Sequence, residues 1–232
     1  MPDSRIRELE RSAAGGDEDA KAQLLRERVR GGTLGADRLR LAVYLGDLAA
    51  LRACDVKRPP SFSDLVAWGR GLQHWGDEAC IRASAAAADL GLARWESWEP
   101  GELEPGLRLR AALDAALACW RGHPNPELSR EAGQLLNAAA TAIDGASRHF
   151  GALEAEHGLS LREAWRAHSV GLAALFACES ILWYLDERAD PVDLAIRDVG
   201  LALEEARLAL GDPAPVLEAV RGALLPWVLA PT

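Results

Sequence analysis

Aromatic residues are scarce in this chain. They make up 6% of its 232 residues, and eight of them are Trp against three Phe and two Tyr. β-Branched residues are sparse too, while Ala and Leu dominate. No segment alternates polar and apolar residues with period two, so strands are not expected. Ala and Leu lose least on entering a helix, and the composition points to helices instead.

Signatures of metal and nucleophile chemistry are missing as well. The four cysteines, Cys54, Cys80, Cys119 and Cys178, lie in separate Ala/Leu-rich segments and form neither CxxC nor a zinc-ligand spacing. Each reads as a small apolar residue in a reducing cytosol. His74, His123, His149, His157 and His168 never occur as HExxH or at i, i+4. His149 and His157 could share a helix face, but two turns would hold them about 12 Å apart, and Gly151 and Gly158 interrupt the run. There is no GxSxG, and "AAGGDED" puts acids where a phosphate loop needs lysine. Cys80 follows His74 by six residues and falls in the first turn of a helix, where a thiol is activated. The plainer expectation is a buried small residue facing Trp68 and Trp75. The sequence therefore predicts no catalysis, no metal and no cofactor.

Long apolar runs are also wanting. The most apolar stretch, Val170–Leu185, spans 16 residues with Glu179 inside it, too short and too charged to cross a membrane. The opening "MPDSRIRELERS" is charged and has no apolar centre, so no signal peptide is expected and the location is expected to be cytoplasmic.

Negative charge, by contrast, is plentiful but uneven. The formal net charge is −9. Residues 1–58 carry 12 Lys/Arg against 10 Asp/Glu, whereas residues 59–232 carry 14 against 25. An acidic body repels phosphate backbones and attracts basic proteins, so direct nucleic-acid binding is not expected and a basic protein partner is.

Helix punctuation recurs along the chain. Asp17 and Asp47 read as N-caps, each after a glycine and three residues before an alanine, Ala20 and Ala50, so that one pattern repeats thirty residues apart. "VKRPPS" breaks the chain near residue 58, because two prolines cannot lie inside a helix. The domains are therefore expected to be 1–58, short helical hairpins, and 59–232, an acidic helical bundle. "SFSDLVAWGRGLQHWG" reads as one capped helix, and Leu109, Leu113, Leu117 and Trp120 form an apolar stripe on a later one. Asn125–Pro126, Asp190–Pro191 and Asp212–Pro213 are start signals. The helix from Ser160 to about Arg188 is apolar nearly all round in its second half, which places it at the bundle centre. The predicted fold is all-α: an antiparallel multi-helix bundle of about eight to ten helices.

Two places combine charge with apolar surroundings. Glu179 lies within "LFACESILWYL", where a central carboxylate costs several kcal/mol unless paired or protonated. Arg82, Arg108, Arg110 and Arg148 are candidate structural partners, and a small-molecule or catalytic site around Glu179 is the functional reading. The second place is "RWESWEPGELEP". Pro100, Gly101 and Pro105 forbid helix through it, and it joins two tryptophans to four glutamates. Trp95 is expected on the core. Trp98 with Glu96, Glu99, Glu102 and Glu104 forms the expected partner-binding surface, since Trp is enriched among interface hot spots and a negative field speeds encounter with a basic partner.

Around this loop the layout resembles the all-helical immunity protein family of bacterial polymorphic toxin systems. The resemblance covers residues 75–122: Trp75, the helix "DEACIRASAAAADLGLARWE", Pro105, Arg108–Arg110 with "AALDAALACW", and Trp120-Arg121-Gly122. Gly-Leu-Arg stands where that family has Asp-x-Arg after the proline, and about sixty residues are added in front. The resemblance implies a cytoplasmic, non-catalytic protein that binds and neutralises a cognate toxin. Two other readings stand beside it: a scaffold or adaptor binding through the N-terminal hairpins, and the bundle built around Glu179.

Overall fold

A computed structural model of the chain describes residues 2–56, 61–96, 105–121, 126–148, 161–185 and 192–231. Every regular element among them is helical. They are α1 (Pro2–Ala14), α2 (Glu18–Arg30), α3 (Ala36–Tyr44), α4 (Leu48–Ala53), α5 (Leu65–Gly71), a 3-10 turn (Leu72–Trp75), α6 (Asp77–Glu96), α7 (Pro105–Arg121), α8 (Pro126–Arg148), α9 (Leu161–Leu185), α10 (Val192–Leu210) and α11 (Pro213–Val228). The all-α expectation holds. The count of eleven α-helices among the described residues exceeds the expected eight to ten, partly because the charged segment Pro2–Ala14 is itself helical.

The chain divides into two compact units, Met1–Ser63 with Arg221–Thr232, and Asp64–Val220. The break at "VKRPPS" puts a boundary near residue 58, with everything after it in one domain. Residues 57–60 lie outside the described residues, and the final segment from Arg221 belongs to the first unit.

The first unit is a run of short helices closed by local chemistry. Four successive helices end in the same way. The amides of Asp17, Thr33, Asp47 and Val56 each reach back to the carbonyl of the residue five before, Ser12, Arg28, Ala42 and Leu51, at 2.9–3.3 Å. This is the Schellman closure, which needs a left-handed residue just before the donating amide. Gly16, Gly32 and Gly46 supply it with φ of 92°, 72° and 78°, and Asp55 supplies it at φ 53°. Asp17 and Asp47 then act twice. As backbone they close one helix, and as side chains they open the next, Asp17 accepting from the amides of Asp19 and Ala20, and Asp47 from that of Ala50. One Gly-Asp pair thus turns an αα-hairpin with almost no loop.

The same Gly-Asp pair recurs at the same interval in a different turn. Gly76 has φ 89° and ψ 172°, and Asp77, thirty residues after Asp47, is itself the first residue of α6. The small residue three further on is buried in all three copies, as Ala20, Ala50 and Cys80. The element before this third turn is not the single helix expected over 61–76. It is α5 followed by the 3-10 turn, with Gly69 and Gly71 weakening the helix there.

The second unit is a bundle of longer helices. α9 packs against α6, α7, α8 and α10, which gives it the central place its apolar second half predicts. The core joins Ile81, Ala88 and Leu92 of α6, Leu109, Ala112, Leu113 and Ala116 of α7, Val170, Ala174, Ala177, Cys178 and Ile181 of α9, and Ala202 and Ala209 of α10. Half of these are alanines, so the helices approach closely. α5 and α10 approach closely through glycines. A Cβ on Gly200 would lie 2.9 Å from the carbonyl oxygen of Val66, and one on Gly69 would lie 3.2 Å from the Cα of Gly200.

Candidate protein-docking surfaces

Trp98, Glu99, Glu102 and Glu104, the expected contact residues, lie outside the described residues, and Glu96 is described only as the last residue of α6. α6 and α7, which precede and follow them in sequence, pack against each other, and Pro105 opens α7.

Exposed acids stand on each of the helices that follow: Asp89 on α6, Asp114 on α7, and Glu127 and Glu131 at the start of α8, the far end of α7 from the loop. Arg110 of α7 joins Asp89 of α6 across the helix pair, and Arg82 bonds Glu78 on its own helix at 2.7 Å and stacks over Trp120 at 5.7 Å. Arg207 is held by Glu204 at 2.6 Å, and this short contact raises its pKa. Several cations of the unit are therefore engaged within it, while acids remain in excess. Asp64–Val220 carries 13 Lys/Arg against 25 Asp/Glu. The first unit, 1–63 with 221–232, carries 13 against 10. The charge contrast seen in the sequence sharpens slightly when the C-terminal segment, with Arg221 and no acid, is assigned to the first unit.

The candidate reactive groups are placed as follows. Cys80 is buried in α6 and His74 is exposed on the 3-10 turn. Cys178 is buried in the core, and burial first, then the charges of Glu179 and Asp114, push its thiol up to about 12. A thiol so placed stays protonated and packs as an apolar group. Cys54, at the end of α4, is exposed. Glu179 is not at the centre of the bundle as expected but half-buried, because the inward positions around it are taken by Ala177, Cys178 and Ile181. Among the described residues, no group of three His, Cys, Asp or Glu could hold a metal ion, and no helix is long and apolar enough to cross a membrane. His123, His149 and His157 lie outside the described residues, and of His168 only its place on α9 is described.

Sequence reasoning missed one surface feature. Leu48, the residue after the second Gly-Asp turn, is 61% exposed. The equivalent residues after the first and third turns are Glu18 and Glu78. Aligning the three turns would have revealed it, since a polar first-turn position is occupied once by a large apolar side chain.

No family model, curated protein or solved structure matches this chain.

Proposed function

We propose that this is a non-catalytic binding protein, and specifically an immunity protein that captures and neutralises a basic toxin in the cytoplasm. One observation carries the reading: the unit Asp64–Val220 holds 25 acidic against 13 basic residues, with Asp89 and Asp114 exposed on α6 and α7, the helices that the Trp/Glu loop joins in sequence. A negative field of this kind attracts a cationic partner from a distance and speeds its docking. Trp98 is the proposed anchor, and Glu96, Glu99, Glu102 and Glu104 are its charged rim. The resemblance of residues 75–122 to immunity proteins supplies the partner class, and a nuclease face shaped for phosphates would fit the charge.

The test is co-expression with the product of the neighbouring gene. Wild-type protein restores growth and forms a complex that weakens with salt. Glu99, Glu102 and Glu104 changed together to Lys lose both. Absence of rescue and of complex sinks the immunity reading, and rescue that survives the charge reversal moves the contact elsewhere.

A second reading, a scaffold binding through the N-terminal hairpins, is favoured by the exposed Leu48. Leu48→Glu would then abolish partner recovery with the helical content unchanged.

A further inference from the structure

We propose that the C-terminal segment Arg221–Ala230 is a strap that opens independently of the N-terminal hairpins it clasps. The strap is held by two arginines that reach in opposite directions. Arg38, on α3, stacks over Trp227 at 5.5 Å and donates to the carbonyl of Ala230 at 3.3 Å. Arg221, on the strap, stacks over Phe62 at 4.9 Å and donates to the carbonyl of Leu45 at 2.7 Å. Leu45 is the residue before the left-handed Gly46, and a Cβ on Gly46 would lie 2.8 Å from the Arg221 guanidinium. The turn is bare of side chain where the arginine crosses it.

The helix that carries the strap is weak on its outer side. Pro226 lies inside α11 and has no amide to give the carbonyl of Gly222, four residues before it. Gly222 is itself exposed and has open space around it, so no packing restrains the least helix-favouring ordinary residue there. Leu224 and Val228 are fully buried, so the closed strap is the resting state.

What the strap clasps does not depend on it. The closures at Gly16, Gly32, Gly46 and Asp55 are bonds between residues five apart, and each survives opening. The strap's side-chain bonds to the hairpins span 192 and 176 residues, whereas its amides bond within its own helix, as Leu229 does to Leu225. Local opening begins where a helix is interrupted and poorly packed, as this one is at Gly222 and Pro226. Opening frees the Leu45 carbonyl and the face of Phe62 that Arg221 covers, while Leu48 on the same turn stays exposed in either state. This device does not rest on the proposed function.

Native-state hydrogen exchange on the full chain tests it. In wild type under low denaturant, amides of residues 223–230 should exchange through an opening smaller than global unfolding, while those of α2 wait for the global event. Arg38→Ala and Arg221→Met should each speed strap exchange about tenfold, a size set by one cation–π contact and one hydrogen bond, without moving α2, α6 or α9. Arg40→Ala, which removes only a local pair with Asp37, should leave the strap at the wild-type rate. Strap and α2 amides exchanging together in wild type would overturn the proposal. So would strap exchange that ignores both arginine variants. If a variant fails to fold, the wild-type denaturant series alone decides.

Discussion

The two units of this chain are built of the same helix but held by different physics. Met1–Ser63 with Arg221–Thr232 uses helices as short as the six residues of α4, closed by left-handed turns, aspartate caps and arginines donating to carbonyls. Arg26 is one such arginine. Its guanidinium donates to the carbonyls of Ala53 and Arg52 at 3.0 and 2.5 Å and meets Asp55 at 3.3 Å, so one side chain finishes a helix that is too short to finish itself. Asp64–Val220 uses helices of up to 25 residues, and its core is close contact between alanines, a few Leu and Ile, and a glycine pair. Short helices are marginal alone and depend on their ends. Long helices with small faces depend on packing. The first unit should therefore answer to changes in turns, and the second to changes in volume.

The largest expected effect is in the second unit. Ile181 is fully buried near the C-terminal end of α9, and Ile181→Ala should cost about 2–5 kcal/mol, read as a fall in the denaturation midpoint. A loss well under 1 kcal/mol would mean that the bundle collapses around the void and that packing is not its main support. Next is Gly200→Ala. The added methyl meets a backbone oxygen at 2.9 Å, and overpacking of this kind should cost about 1–3 kcal/mol although alanine favours helix. No loss would show that α5 can move away from α10.

In the first unit, two glycines with the same role separate strain from crowding. Gly16→Ala and Gly46→Ala both force a left-handed alanine, at about 1–2 kcal/mol. Gly16 has nothing within 4 Å, whereas Gly46 faces Arg221 and Phe62. Gly46→Ala should therefore cost more, and equal losses would show that the turn alone matters and the strap yields freely. The smallest effect concerns pH. The amide of Ala20, then the Ser12 hydroxyl, then the amide of Asp19 hold the Asp17 carboxyl below its usual range. Its contribution is present above the unfolded carboxylate value, near pH 4, and is lost as the pH falls through the lower folded value. Asp17→Asn still caps but does not titrate, so its urea midpoint should fall less steeply than wild type between pH 4 and 2. Parallel curves would remove Asp17 from the acid response.

Much of this division was legible in residue types. Asp17 and Asp47 after glycine announce both an ending and a beginning, since only a residue without Cβ enters the left-handed turn cheaply and only a short acceptor side chain caps the next helix. The third copy at Gly76–Asp77 was equally legible by spacing, but its preceding element carries Gly69 and Gly71 and no longer resembles its siblings. Glu179 misled, because apolar neighbours in sequence do not fix which side of a helix faces in. The Trp/Glu loop was visible only as composition, and its contact residues lie outside the described residues.

The sequence by itself determined the class of fold and the local turns, because both follow from interactions within about five residues: helix propensity, capping and the left-handed glycine. Only the tertiary structure decided that Gly200 meets Val66, that Glu179 sits at the edge of the core, and that Arg38 and Arg221 bind the two ends of the chain into one unit. The glycine and arginine contacts join residues more than a hundred positions apart, and nothing in the local pattern of an arginine or a glycine says which distant surface it will meet.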